Sequence, residues 1–385
     1  MSGLGDTSHL AAGLVADDLP APTIQCHAAN LMPLADGTLG CVWFGGTQEG
    51  VADIAVWFSR RENGQWSTPV KLSDDPERSE QNPILFPAPD GTLWLLHTAQ
   101  RSGHQDTAIV RCRRSSDGGR TWSAPEQLFK DAGLFVRQPV VVHEGRWLVP
   151  VFHCRTTPGV RWSGDHDDSA VMVSSDQGRI WTEHLVPGST GCVHMNIVPA
   201  RDGKALLAFY RSRWADHVYR SVSTDGGKTW SAPQPTELPN NNSSIQVVRL
   251  AHGRIKGQLA MVFNAISAAQ ATERRVSLYD EIEGEAQDAD YAAPPAGTRT
   301  AFWGTPRAPM TLALSDDDGL TWPIRRDLEG GDGYCMTNDS AGRRNRELSY
   351  PSIVQTADGV LHVAYTHYRQ RIRHLAVTPD WMLQA

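Results

Sequence analysis

Six stretches of the sequence place hydrogen-bonding or ionisable residues at the head of a short apolar run. They read Gln25-Cys26-His27-Ala28-Ala29-Asn30, Glu80-Gln81-Asn82, Arg137-Gln138, His194-Met195-Asn196, Asn241-Asn242-Ser243-Ser244 and Glu347-Leu348-Ser349-Tyr350. His, Asn, Arg and Tyr side chains donate, accept or carry protons, so a ring of them would suit a polar ligand. Other stretches could face the same way. Gly45-Gly46-Thr47-Gln48-Glu49-Gly50 precedes Asp53, and its glycines would let a ligand approach the backbone. Tyr210-Arg211-Ser212-Arg213 and His367-Tyr368-Arg369-Gln370-Arg371 offer guanidinium groups, which grip a carboxylate bidentately. Asp165-His166-Asp167-Asp168 reads as a solvated acidic loop, with a divalent cation as the minor alternative. Neither a cofactor nor a metal is expected. Taken singly, any of these residues could equally cap a strand end or bind water.

The elements that would position them are repeats. The pattern S-x-D-x-G-x-x-W occurs at Ser115–Trp122, Ser174–Trp181, Ser223–Trp230 and Ser315–Trp322, with a degenerate copy lacking the Asp at Ser59–Trp66. An independent series of short turns ends in Gly between strand-like apolar runs. These are Asp36-Gly37, Asp90-Gly91, Glu144-Gly145, Asp202-Gly203, His252-Gly253 and Asp358-Gly359. Such pairs are hairpin signals. Each of the first five turns is followed by one copy of the Trp motif. The unit is therefore four strands, A to D. In the first unit A lies near Ala29 to Leu34, B near Leu39 to Phe44, C near Ile54 to Phe58 and D near Pro69 to Leu72. Successive motifs stand roughly 50 to 60 residues apart, except for 92 between Ser223 and Ser315. The excess reads as an insertion loop at about 267–306 in the fifth unit.

Six units of four antiparallel strands predict an all-β, six-bladed β-propeller formed by residues 1–385 as one domain. The last unit supplies Ser352 to Gln355, Val360 to Tyr365 and Ile372 to Val377. Its fourth strand would come from the N-terminal segment before Pro20, closing the ring. Strand polarity then assigns the faces. The A–B and C–D turns lie on one face, and the B–C loops and A-strand starts on the other, where they converge at the axis.

Composition bounds the partners. The 385 residues are 40% hydrophobic and carry a net charge of −7, which argues against nucleic acid. No apolar run is long enough to span a membrane. The segment Met1 to Thr7 lacks the basic start and apolar stretch of an export signal, and the six scattered cysteines form no C-x-x-C pair. A reducing, cytoplasmic setting is the expectation.

The Trp motif is spelled like the Asp box, and the chain resembles the sialidase (neuraminidase) superfamily over nearly its whole length. In that family the box is structural. The resemblance implies arginines on a substrate carboxylate, a tyrosine nucleophile with a glutamate partner, and an acidic proton donor. Tyr350, in Leu348-Ser349-Tyr350-Pro351-Ser352, matches the nucleophile. Arg211 and Arg307 match two arginines. Glu49 fits the proton donor, with Asp53 as fallback. The chain departs twice. Cys26-His27-Ala28 replaces the family's first arginine motif, and Asn196 falls where the nucleophile's glutamate belongs. His27, His194 or Glu347 are the candidate replacement bases. His27, Asn82, Arg137, His194, Asn196 and Asn242 are the expected substrate contacts beside the two arginines.

The leading expectation is an exo-glycoside hydrolase acting on the terminal acidic sugar of an oligosaccharide or glycoside. A second is a uronate-directed polysaccharide lyase using Tyr350 and a histidine. A third is a non-catalytic carbohydrate-binding propeller.

Overall fold

A computed structural model describes residues 13–156, 162–275, 277–279, 281–282 and 298–384. The Met1–Thr7 segment, and residues 276, 280 and 283–297 of the expected insertion, lie outside them. The chain forms six antiparallel sheets, each built from consecutive strands except one. That one joins Leu348–Gln355, Leu361–His367 and Arg371–Val377 to the N-terminal strand Leu14–Asp18. Leu14 pairs with Val377 and Asp18 with Arg373, so the ring closes as the sequence predicts. The first blade contains Gln25–Pro33, Leu39–Gly46 and Ala55–Glu62, with two short outer pieces, Gln65–Trp66 and Val70–Lys71. Among the described residues no helix is long and apolar enough to cross a membrane.

Alternation explains the core. Inward faces of neighbouring blades interdigitate as apolar layers, as where Leu34, Val42, Val56 and Phe58 of blade one meet Leu85, Leu93 and Leu95 of blade two. Polar side chains lock inner strands to the next blade. Asn30 Oδ1 accepts from Leu85 N at 2.9 Å, Asn196 Oδ1 from Val247 N at 2.8 Å, and Ser352 Oγ from Leu31 N at 2.9 Å.

The four full motifs are self-contained turns. At Ser115–Trp122, Ser115 Oγ accepts from Gly119 N (2.8 Å), Asp117 accepts from Thr121 N (2.9 Å), and Trp122 Nε1 donates to Gly119 O (3.1 Å). The Asp-Gly turns differ from the two-residue expectation. At Asp36-Gly37, Leu34 N donates to Thr38 O (2.8 Å) and Gly37 N to Leu34 O (3.0 Å), with Gly37 at φ +82°. This is a longer loop whose last position needs the left-handed backbone. Only Glu144-Gly145 has both residues at positive φ, 48° and 75°.

The inner strands begin earlier than their apolar runs suggest. The polar residues sit inside the strands, at breaks in register between His27 and Asn30, Gln81 and Ile84, Val193 and Asn196, and Ser349 and Ser352. Each break holds a left-handed non-glycine residue: Ala28 (φ 60°), Asn82 (50°), His194 (53°) and Tyr350 (51°). A bulge of this kind re-aims a side chain without ending the strand. Non-glycine residues in that region cost on the order of 1–3 kcal/mol each and persist only where their surroundings hold them. Four blades repeat the same device around one axis.

Candidate active site

The bulges bring side chains from separate blades together around Tyr350, which is buried. Its hydroxyl oxygen accepts from Arg211 Nη1 at 2.6 Å. The guanidinium carbons of Arg137, Arg211 and Arg307 lie 5.3, 5.6 and 5.7 Å from the centre of its ring. Two histidine rings flank it, His27 at 4.3 Å and His194 at 5.6 Å between centroids. Burial, reinforced by Arg369 at His27 and by Arg211 at His194, holds both imidazoles well below their ordinary value, so they are neutral. His27 Nδ1 meets Thr366 Oγ1 at 2.8 Å, and its buried Nε2 has no partner among the described residues. His194 Nε2 lies 3.5 Å from Arg211 Nη1, and its Nδ1 has no partner among them either.

Beside the phenol is a chain of buried charges. Glu347 accepts from Arg307 Nη1 at 3.2 Å through both oxygens, and from Ser349 Oγ at 2.7 Å. Arg369 Nε approaches Glu347 at 3.0 Å, and its Nη1 donates to Glu49. Burial alone would raise Glu347, but Arg307 and Arg369 outweigh it and hold the carboxyl at about 2. Among the described residues Arg211 has no carboxylate partner. Asn242 Oδ1 accepts from its Nε at 2.8 Å, and burial pulls the guanidinium down to about 9 despite the phenol. Arg137 shares that lack, with its buried Nη1 unpartnered among the described residues. Arg211 and Arg137 thus carry the charge of this cluster that no described carboxylate balances.

The structure gives several of the expected ligand contacts partners within the chain. Arg137 is held by backbone. Its Nη2 donates to the carbonyls of Ala29 (3.1 Å), Tyr350 (3.0 Å) and Pro351 (3.2 Å), fixing the Tyr350 backbone. Asn196 holds the adjoining blade, as described, because its side chain points along the inter-blade seam. Asn242 serves Arg211, and its Nδ2 donates to Phe302 O (2.9 Å). Asp53 is exposed and accepts from Thr47 N at 3.1 Å, so it orders its own loop outside the cluster. Asn82 is buried at its bulge with Oδ1 unpartnered among the described residues. The acidic loop has partners within the chain. Asp167 takes Arg213 through Nε (3.0 Å) and Nη2 (2.7 Å), Asp168 takes His153 and Arg155, and Asp165 takes Ala301 N (2.6 Å).

Arg369 is the residue that site assignment from sequence overlooks. Its carbonyl accepts from Cys26 N at 2.9 Å, which puts it beside the blade-one motif that lacks its arginine. The signal was its place in the B–C loop of the last blade, where several arginines competed. The covering layer was also unforeseen. Leu278, Tyr279, Ile282, Ala301 and Trp303, all from the fifth-blade insertion, form a cluster with Phe135, Phe152 and Trp162. A cavity of about 10 Å3 beside the charged chain is lined by Arg275, Trp303, Arg307, Glu347, Arg369 and neighbours. That holds roughly one water.

A six-bladed propeller with Asp boxes and an arginine-ringed tyrosine at its axis defines a sialidase-like fold. The chain belongs to the family described as "BNR repeat-like domain", whose model matches residues 37–363. It is 24% identical to a sialidase of Bacteroides fragilis, across 55% of this chain and 47% of that protein. A sialidase of Micromonospora viridifaciens is 22% identical, across 78% of this chain and 41% of that one. The chain spans less than half the length of these curated relatives. Among solved structures, the Hadza microbial sialidase Hz136 superposes with a TM-score of 0.68 at 14% identity, covering 94% of this chain and 67% of that one. The intramolecular trans-sialidase of Ruminococcus gnavus, solved with oseltamivir carboxylate, gives 0.66 at 13%, covering 94% and 96%. At such identities the likeness is one of fold.

Proposed function

We propose that the protein is an exo-glycosidase acting on a terminal acidic sugar. The observation that carries this is the convergence of Arg211 and Arg307 on Tyr350, with Arg369 joined to Arg307 through Glu347. The substrate carboxylate would take Arg211 directly and compete with Glu347 and Glu49 for the other two guanidiniums. Tyr350 would attack the anomeric carbon as the glycosidic C–O bond breaks, its phenol proton passing to a neutral imidazole of the pair His27 and His194, while Arg211 would stabilise the charge that develops on the phenol oxygen. Glu49, paired with Arg369, accepts in this state. Once substrate displaces it, it can take up a proton and deliver it to the leaving oxygen. The cavity is too small for a sugar, so Trp303 and Leu278 must shift to admit one.

One observation favours a second reading. Among the described residues no carboxylate is hydrogen-bonded to the Tyr350 hydroxyl, while two neutral imidazoles flank its ring. That set could remove the proton beside a uronate carboxylate and expel the leaving group as a β-eliminating lyase.

Turnover of 4-methylumbelliferyl sialoside and of an aryl uronide, with ultraviolet absorbance followed for unsaturated product, separates these. The hydrolase predicts dye release without unsaturated product, and a loss of at least about 100-fold in kcat for Tyr350→Phe. Arg211→Ala should fall by a similar factor in kcat/KM. Dye release that survives both changes would end the assignment.

A further inference from the structure

The segment Leu19 to Ile24 runs from the outermost strand of the closing blade to the innermost strand of the first. It therefore crosses radially over the face that carries Tyr350. Beside it lies an open trough of about 510 Å3, bounded by Leu19, Thr23, Ile24, Ser340, Arg343 and Gln370 among others. The trough abuts the axial cluster. Gln370 follows Arg369 in the chain, and Gln25 follows Ile24. The buried Gln25 Nε2 donates to Asn338 O (3.0 Å) and Ser340 Oγ (2.9 Å), making the partition between trough and cavity. Its Oε1 is buried there without a partner among the described residues.

The chemistry of the trough is distinct from that of the chain as a whole. Arg343 is exposed, sits in a left-handed backbone (φ 50°), and its guanidinium has no partner among the described residues. Asp18 is shared by Arg371 (3.1 Å) and Arg373 (3.0 Å). Arg373 also pairs with Glu329 at 3.1 Å, so the excess comes from Arg343: among the lining residues Arg343 and Arg371 face the single carboxylate of Asp18, in a chain whose net charge is −7. Ile24, 52% exposed, supplies an apolar wall of the kind that meets the face of a sugar ring.

We propose that this trough binds the leaving-group side of the glycan, and that the sugar seated there is itself acidic, its carboxylate on Arg343. The inference rests on the axial site holding the terminal sugar. A ligand anchored at the axis must extend outward, and the trough is a radial path bordering the anchor. The preferred substrate is therefore a run of consecutive acidic sugars rather than an acidic cap on a neutral glycan.

Calorimetric binding by the full chain tests this with four probes. They are an α2,8-linked trimer of sialic acid, trigalacturonate, 3′-sialyllactose (whose second sugar is neutral) and free sialic acid. One of the two trimers should bind more tightly than the probes lacking a second acidic sugar, and the trimer that does so identifies the sugar. Arg343→Ala should weaken that trimer about five-fold, an effect that added salt reduces, and leave the other probes unchanged. Arg211→Ala should weaken every probe that binds. If Arg343→Ala leaves the trimers unaffected while Arg211→Ala weakens them, the trough is refuted and the axial site stands. If only Arg343→Ala matters, the trough stands and the axial reading falls. Wild type that binds neither trimer overturns the proposal.

Discussion

The two faces of the propeller use polar groups in opposite ways. On the turn face, the Ser and Asp of each Asp box accept from backbone N–H groups of their own turn, and the Ser223 to Trp230 copy, with its exposed Asp225, closes its indole bond there too. On the axial face, Tyr350 is held by Arg211 from blade four, Arg307 from the strand approach of blade five and His27 from blade one. The charges there are buried, and several polar atoms, among them His27 Nε2 and His194 Nδ1, lack partners among the described residues. The turn face is redundant, and its serines and aspartates are satisfied locally. The axial face is assembled once, from distant chain segments, and is stable only as a balanced set.

Glu347→Gln should break that contrast most severely. It leaves Arg307 buried without a carboxylate and Arg369 with Glu49 alone. Removing one member of a buried ionic cluster costs about 3–5 kcal/mol. Urea denaturation should show a loss of that size, together with loss of turnover. A change below about 1 kcal/mol would mean that the cluster is solvated and the faces are alike. The same carboxylate gives a pH signature. Its native value near 2 lies below the ordinary 4.5, so its contribution is complete above 4.5 and fades as pH falls toward 2.

The difference between the faces also explains what could be read in the sequence. Box and turn contacts are local, so their spelling repeats, and six blades, the closing N-terminal strand and the B–C loop polarity all followed from counting. That Tyr350 and Arg211 lie near the axial ends of their strands was also legible, and there the two side chains meet at 2.6 Å. The bulges were not, since a left-handed Ala28 or Asn82 carries no compositional mark. Without them Arg137 and Asn196 looked like ligand contacts, whereas one holds backbone carbonyls and the other the next blade. The pairing of Arg369 with Glu347 and Glu49 joins blade-six and blade-one residues, and no single-chain pattern encodes it.

A second region sharpens the comparison at intermediate size. His362 Nδ1 and His374 Nε2 meet at 2.9 Å beneath the closing strand, and His374 in turn meets Asp17. Burial first, then His374 and Arg61, lower His362 to about 4, against a weak opposing pull from Asp358 and Asp17. Between 6.5 and about 4 the unfolded chain binds a proton that the fold rejects, so stability must fall as pH drops through that window. His362→Gln should flatten the slope of unfolding free energy against pH there by up to one proton. An unchanged slope would show that His362 titrates like an exposed imidazole and that ring closure is insensitive to acid.

Ser223→Ala should give the smallest effect, and it probes the turn face directly. Ser223 Oγ accepts from Gly227 N and contacts Asp225 Oδ1, both at 2.9 Å. Asp225 still accepts from Lys228 N (3.1 Å) and Thr229 N (2.9 Å), and Trp230 Nε1 still reaches Gly227 O (3.1 Å). One backbone N–H loses its acceptor while the rest of the turn keeps its bonds, so the loss should be about 1 kcal/mol. Because these contacts stay within one turn, kcat/KM should match wild type. The decisive measurement pairs the melting curve with turnover in the same preparation. Lost turnover with an unshifted melt would mean that the boxes transmit strain to the axial cluster, and the separation of the two faces would fail.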